Sequence, residues 1–440
     1  MKKNTLTMKN FIRATACLVF VLAGMNTFAQ EEIEFVRKSK ILTTPTCTLY
    51  AADFHVHNSV FQNPELRNKM LANNACSTFI VNYSGFTPEA EAAFQYAVDI
   101  WANSIESSQP ITISASFQPL APGVLGQAGP VSVHTSNAPD AVPNVFYPKA
   151  LAEKLEDAQI NPDPFGGSVD ITVTLSSNFN FYFGTDAMPP GGQFDFVSIV
   201  LHEVAHGLGF GTSFRNTNGI TGSIREPNNN IPTVYDLFIE NGAGQSLLDT
   251  NFFADPSTAL HVQLTGGDLF NNSPLSINQN GGVIPEVYAP STFQGGSSYA
   301  HWDSSTIPVG NINSLMRPSV GSGIAIHDPG PITLGVFEDM GWSICGGSLS
   351  IEELNAESVE IGPNPFMFAI SIKLKVGGND DYTIDLFDVD GRLVLNDTVT
   401  ADDGLIIISS DLYSLESAMY FIRITNKFSG NSVTKKIIKG

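Results

Sequence analysis

Residues 195–209 read Asp-Phe-Val-Ser-Ile-Val-Leu-His-Glu-Val-Ala-His-Gly-Leu-Gly, an apolar stretch that carries His202, Glu203 and His206. Its pattern predicts a buried helix with Asp195 as N-cap and Gly207 and Gly209 ending it. Positions i and i+4 of a helix share a face, so both imidazoles can reach one ion. Glu203 directly follows the first histidine and can take a proton from a water beside the metal. Val200, Leu201, Val204 and Leu208 bury the helix and make it a rigid support. Polar side chains in such a helix are costly without a purpose. The expectation is therefore a zinc site with His202 and His206 as ligands and Glu203 as catalytic base.

A catalytic zinc takes three protein ligands and leaves one position open. Four downstream residues are candidates for the third: His261, His301, His327 and a carboxylate such as Glu338. Spacing leaves that choice open. His55, His57 and His134 lie upstream and are expected on the surface or in a pro-segment.

The segment His202-Glu-Val-Ala-His-Gly-Leu-Gly-Phe210 resembles the active-site helix of the metzincin proteases. Most of that clan place a third histidine where this chain has Thr212. The leishmanolysin-like branch instead puts a long insertion before it. There the third histidine precedes Trp, then come a Leu-Met-x-Pro turn and a helix ending in Asp-x-Gly-aromatic. This chain has Ala300-His301-Trp302-Asp303, Ser314-Leu315-Met316-Arg317-Pro318 and Asp339-Met340-Gly341-Trp342. The resemblance implies that His301 is the third ligand and that Met316 lies in the turn beneath the zinc. It also implies a fold of class α+β: a zincin-type catalytic domain, with a mixed sheet, an active-site helix and a loop-rich C-terminal subdomain.

The 440-residue length predicts two or three domains. Residues 1–29 read as a signal peptide, with Lys2, Lys3, Lys9 and Arg13, an apolar run from Ala14 to Gly24, and small residues before a cut at Ala29. The rest is expected to be exported, with no transmembrane segment. Removing those four basic residues takes the formal charge from −21 to −25. Such a surface disfavours nucleic acid as a partner. It could hold Ca2+ as a second ion, although no EF-hand loop is present. Export permits a disulfide among Cys47, Cys76 and Cys345. Cys47–Cys76 and Cys76–Cys345 both stay open, and Cys47 is also a candidate latency ligand, a thiolate on zinc until processing.

Residues 30–75 read as a pro-segment or N-terminal extension, and 76–345 as the metalloprotease domain. Thr87-Pro88-Glu89 opens a helix whose Phe94, Ala97, Trp101 and Ile105 face the core. Ser77–Tyr83 and Ile111–Phe117 read as strands, and the long alternating stretch Asp170–Phe183 as another strand or a hairpin. The last of these is expected to offer an edge to an extended peptide. Residues 346–357 read as a linker. From 358 to 440, short alternating strands and the Asp390-Gly391 turn predict a small β-sandwich. Gly362-Pro-Asn-Pro-Phe366, Asp388-Val-Asp-Gly-Arg392 and the Lys-rich final strand resemble a type IX secretion sorting domain. That resemblance implies outer-membrane secretion machinery as a partner and a secreted or surface-attached bacterial protein.

The function expected is thus a monomeric, secreted zinc endopeptidase acting on protein or peptide substrates. It would cut through a zinc-bound water activated by Glu203. The alternative is a surface adhesin or binding protein with a structural metal; Glu203 discriminates, since a structural site needs no base.

Overall fold

The computed structural model describes residues 37–42, 47–60, 66, 70, 75–160, 167–217, 219–224, 231–346, 359–374, 381–401, 404–409, 412–427 and 432–440. The predicted signal peptide lies outside them, as does the predicted linker apart from Gly346. The fold is mixed α+β, with more strand than helix. No helix among the described residues is long and apolar enough to cross a membrane.

Six strands build the central sheet: β1 (Cys47–Val60), β2 (Phe79–Ser84), β3 (Ile111–Gln118), β4 (Val124–Pro130), β5 (Ile171–Ser176) and β6 (Ser319–Ile326). Their order is β6-β1-β4-β5-β3-β2. β2, β3 and β5 run parallel, and β4 is antiparallel to both of its neighbours, β5 and β1. β5 is therefore paired on both sides, by β3 and β4. This corrects the expectation that the stretch from Asp170 could take a peptide on its edge as far as Ile171–Ser176 is concerned, which has no open edge; Phe181–Tyr182 pairs with Phe194–Asp195 in a separate two-stranded sheet. β1 comes from the stretch read as a pro-segment or extension.

Two helices pack on one another over this sheet. α1 (Pro88–Ala102) starts where the sequence places it, with Thr87 Oγ1 accepting from Ala90 N. Its buried face carries Phe94, Ala97, Val98 and Trp101. Trp101 Nε1 donates to Leu201 O, which ties α1 to the helix of the candidate site (2.9 Å). Phe86, Phe117, Phe181 and Phe196 meet edge-on or tilted at 5.2–6.4 Å beside it. Such aromatic contacts add to the area they bury.

A further helix, α2 (Lys149–Glu156), buries a charged group. Lys149 Nζ lies 3.1 Å from Asp170 Oδ1 and 3.7 Å from Glu153 Oε1, and all three residues are buried. One cation faces two carboxylates, so the more distant one is under-compensated. Burial first, and Asp170 second, push the Glu153 carboxyl up to about 7. Its folded pKa exceeds its unfolded value, so the native state binds the extra proton, and stability falls as pH rises between about 4.5 and about 7. Glu153→Gln is expected to flatten that fall by about 3 kcal/mol. Urea unfolding of both forms at pH 4.5 and pH 8 checks this; parallel curves would count against it.

Cys76 is bonded to Cys345, which resolves the two open pairings, and Cys47 takes no part in a disulfide. The bridge joins the start of β2 to the end of the region, where Ser343–Ile344 pairs with Ile105–Glu106.

The described residues between 359 and 440 form a second core. A three-stranded sheet of Val359–Gly362, Ile370–Leu374 and Leu405–Ile408 accompanies a four-stranded one of Leu393–Thr400, Asp381–Phe387, Met419–Asn426 and Ser432–Ile438. Alternate residues such as Tyr420, Ile422 and Ile424 point inward, as period-two patterning requires. The result is a small β-sandwich.

Candidate metal centre

Helix α3 (Phe196–Leu208) carries the motif and is buried along its whole length. Asp195 caps it, with Oδ1 accepting from Ser198 N (2.8 Å) and Oγ (2.6 Å). His327 Nε2 lies 2.9 Å from the same oxygen, and Ile326 N donates to Ser198 Oγ (2.6 Å). The helix start is thereby pinned to the end of β6. At the other end Gly209 turns the chain at φ 121°, and Trp342 Nε1 donates to Leu208 O (3.1 Å). Gly207 lies against β5 so closely that an added Cβ would sit 2.2 Å from Ile171.

His202 and His206 share one face of α3, and the fold brings His301 to them. The Nε2 atoms are 3.0 Å apart for His202 and His206, and 3.2 Å apart for each of these with His301. Every Nδ1 faces a backbone carbonyl: Leu315 O for His202 (2.7 Å), Phe210 O for His206 (2.5 Å) and Ser297 O for His301 (2.7 Å). A carbonyl only accepts, so each Nδ1 carries the proton, an assignment made from the partner atom. Each neutral ring then leaves a bare Nε2 lone pair, and three such lone pairs converge on one point. They repel one another unless a cation lies between them. Burial holds His202 down at about 4 and His206 and His301 well below the usual histidine range, so all three rings are neutral near pH 7. Three nitrogens at about 2.0–2.1 Å from a tetrahedral zinc lie about 3.3 Å apart. The residues fit zinc in donor type, protonation and spacing.

Glu203 completes the arrangement. It is fully buried, and neither carboxylate oxygen has a hydrogen-bond partner. Burial raises its pKa well above the ordinary value; the Leu49 backbone opposes that in part without reaching hydrogen-bonding geometry. Gly126 on β4 makes room for it, since a Cβ there would lie 2.7 Å from Glu203 Oε1. An unpartnered buried carboxylate is rare in native proteins and calls for an explanation.

The Ser314–Met316 turn acts through its main chain. Leu315 O holds the His202 ring, and Met316 O accepts from Trp302 N (2.7 Å), next to His301. The Met316 side chain is buried in the main core. Tyr299, at φ 67° and fully buried, bends the chain just before His301. A non-glycine residue there costs of order 1–3 kcal/mol.

The other sequence candidates lie elsewhere. His327 belongs to the α3 cap, and neither His261 nor Glu338 joins the three histidines. Cys47 is also outside that group; it is buried at the start of β1, with Sγ beside Gly211. His55 and His57 are exposed. His134 is the correction: expected on the surface or in a pro-segment, it is fully buried between Ser39 Oγ (2.7 Å) and Ser132 Oγ (2.8 Å). Sequence reading also missed Asp236, whose buried carboxylate accepts from Thr212 Oγ1 (2.6 Å), Ser213 Oγ, and Thr233 N (2.9 Å) and Oγ1 (2.8 Å). It braces the turn after α3, at the position where the short metzincin pattern would place a histidine.

Two family models match the chain. One, described as SPBPB7E8-like, matches residues 65–241; the other, described as a secretion system C-terminal sorting domain, matches residues 360–440. Residues 360–440 are a type IX secretion sorting domain. The protein that carries this sorting domain is secreted or held at the cell surface. Neither model is that of a protease family. An uncharacterized Schizosaccharomyces pombe protein, PB7E8.01, is 35% identical over 69 residues, which cover 16% of this chain and 11% of that protein's length. Among solved structures, a DUF3244-family immunoglobulin-like β-sandwich protein of Bacteroides vulgatus is 18% identical, covering 19% of this chain and 85% of its own, with a TM-score of 0.16. PorZ of Porphyromonas gingivalis is 19% identical, covering 21% and 13%, with a TM-score of 0.18.

Proposed function

We propose that this protein is a zinc-dependent endopeptidase with a zincin-type catalytic region, exported by way of its sorting domain. The observation that carries the reading is the convergence of three bare Nε2 atoms at a helix that also carries a buried carboxylate with no partner. His202, His206 and His301 hold the metal, and their Nδ1 bonds to carbonyls keep the rings in orientation. Bound zinc supplies Lewis-acid polarisation of a peptide carbonyl and makes water in the site more acidic. Glu203 accepts the proton of an attacking water on a carboxylate oxygen and returns it to the leaving amine nitrogen. The apolar wall around α3 excludes bulk water and strengthens these charge interactions. A purely structural metal would not need Glu203 unpartnered, which sets the adhesin reading behind this one.

Zinc stoichiometry and casein hydrolysis of the processed protein test the proposal together. One zinc per chain is expected. A chelator should abolish hydrolysis, and added zinc should restore it. His301→Ala should weaken zinc binding by more than the roughly 10–100-fold that follows loss of an outer-shell partner. If zinc binds and no peptide bond is cut after the N-terminal segment has been removed, the structural-metal reading replaces this one.

A further inference from the structure

The turn that holds His202 also carries a charge that the fold leaves unanswered. Leu315 O accepts from His202 Nδ1 (2.7 Å), and two residues on, Arg317 is half-buried. Among the described residues Arg317 takes part in none of the ion pairs, and its Nε is buried without a hydrogen-bond partner. Burial draws its pKa below the ordinary arginine value, and the charge of Asp303 opposes this without pairing with it. The same turn holds a second orphan: Ser314 is 1% exposed, and its hydroxyl has no partner. Buried polar groups are nearly always paired, so two orphans within four residues call for a group that pairs them.

Both residues line one cavity, of about 340 Å³ with its mouth included. Ser319, half-buried, adds a further hydroxyl, and Leu49 and Val320 add apolar wall. The cavity borders the candidate metal centre. Leu315, whose carbonyl orients His202, lines it, and so does Ser198, one turn before His202 on α3. Leu49, which also lines it, has its backbone beside Glu203. A residue next to a peptide bond held at the metal therefore has this cavity beside it.

Chemistry narrows what the cavity can take. A guanidinium only donates and keeps its charge, and a serine hydroxyl can donate as well. An apolar side chain would leave both orphans unpaired. A Lys or Arg side chain would bring a like charge and more donors. An amide offers one acceptor oxygen, no countercharge and two donors of its own. A carboxylate offers two acceptor oxygens and the missing charge, and its bonds to a guanidinium are charge-assisted.

We propose that Arg317 is a specificity-determining residue, which with Ser314 receives an acidic side chain of the substrate, Asp or Glu, beside the scissile bond. The inference rests on the endopeptidase reading and names the substrate preference of that same site.

The test begins with hydroxamates, which bind zinc and need no turnover. The monohydroxamates of succinic, glutaric and adipic acid carry a free carboxylate at the far end, and each is paired with its terminal amide. Calorimetry on the zinc-loaded secreted protein should show at least one acid binding about tenfold or more tightly than its amide. That ratio should fall to near unity in Arg317→Gln and by a smaller factor in Ser314→Ala. It is taken within one protein, so a shared loss of fold or metal cancels, and zinc content is measured beside it. The second arm reads the residues that flank the cuts made in a mixture of peptides. Asp and Glu should be favoured over Asn and Gln about tenfold at one position beside the cut, and Arg317→Lys should keep part of that preference. Equal binding of acid and amide in every pair overturns the proposal. Acid-selective hydroxamates with cuts indifferent to Asp and Glu would assign the cavity to a free carboxylate and overturn the substrate role. Acid preference in a zinc-loaded protein that cuts no peptide keeps Arg317 as a carboxylate site and ends the peptidase reading.

Discussion

Glu203→Gln is expected to lower kcat about 10²–10⁴-fold while zinc content stays at the wild-type level. Gln keeps the size and planarity of the side chain, so Gly126 still accommodates it and α3 is undisturbed. What is lost is the ability to take a proton. Glu203 stands outside the three-histidine group, so the metal should remain. Burying a neutral amide is also less costly than burying a carboxylate, and the variant should be at least as stable as wild type. Metal analysis and steady-state kinetics on the processed protein decide it. Loss of zinc together with activity would make Glu203 part of the metal's support. Unchanged kcat would remove it from the chemistry.

Replacing both Cys76 and Cys345 by Ser is expected to cost about 5 kcal/mol of stability. The bridge closes a loop of sequence separation 269, and loop-closure entropy grows with the logarithm of loop length. The bonded ends lie where Ile105–Glu106 pairs with Ser343–Ile344, just beyond the helix Pro331–Met340. Trp342, three residues before Cys345, caps the carbonyl of Leu208 on α3. Loosening this junction should therefore lower zinc affinity as well as the unfolding midpoint in guanidinium. A shift under about 1 kcal/mol would mean that packing alone holds the two ends together.

The parts that local rules govern were legible in the chain. Thr87-Pro88 and Asp195 start their helices because an N-cap side chain satisfies an amide two or three residues away. The alternation in 370–374, 381–387 and 419–426 is that of strands with one buried face. What failed was context. Cys47–Val60 read as an extension because it lacks a regular buried face: only Cys47, Leu49 and Val60 are buried, although the strand pairs with both β4 and β6. The stretch at Asp170 read as an edge because nothing local says that β3 and β4 take both its sides. His134 read as surface because Ser39, the partner on one side of its ring, lies 95 residues away in the chain.

The sequence by itself placed His202 and His206 on one helical face, with Glu203 one residue after the first, since 3.6 residues per turn set i and i+4 side by side whatever the rest of the chain does. It also marked the sorting domain by its motifs. Tertiary structure alone brought His301 to within 3.2 Å of both other histidines from 95 or more residues away, turned each Nδ1 to a carbonyl, chose Cys345 for Cys76, and paired Cys47–Tyr50 with β4. Those outcomes depend on which distant surfaces pack together, and contacts between distant segments leave no periodic trace in the residues that make them.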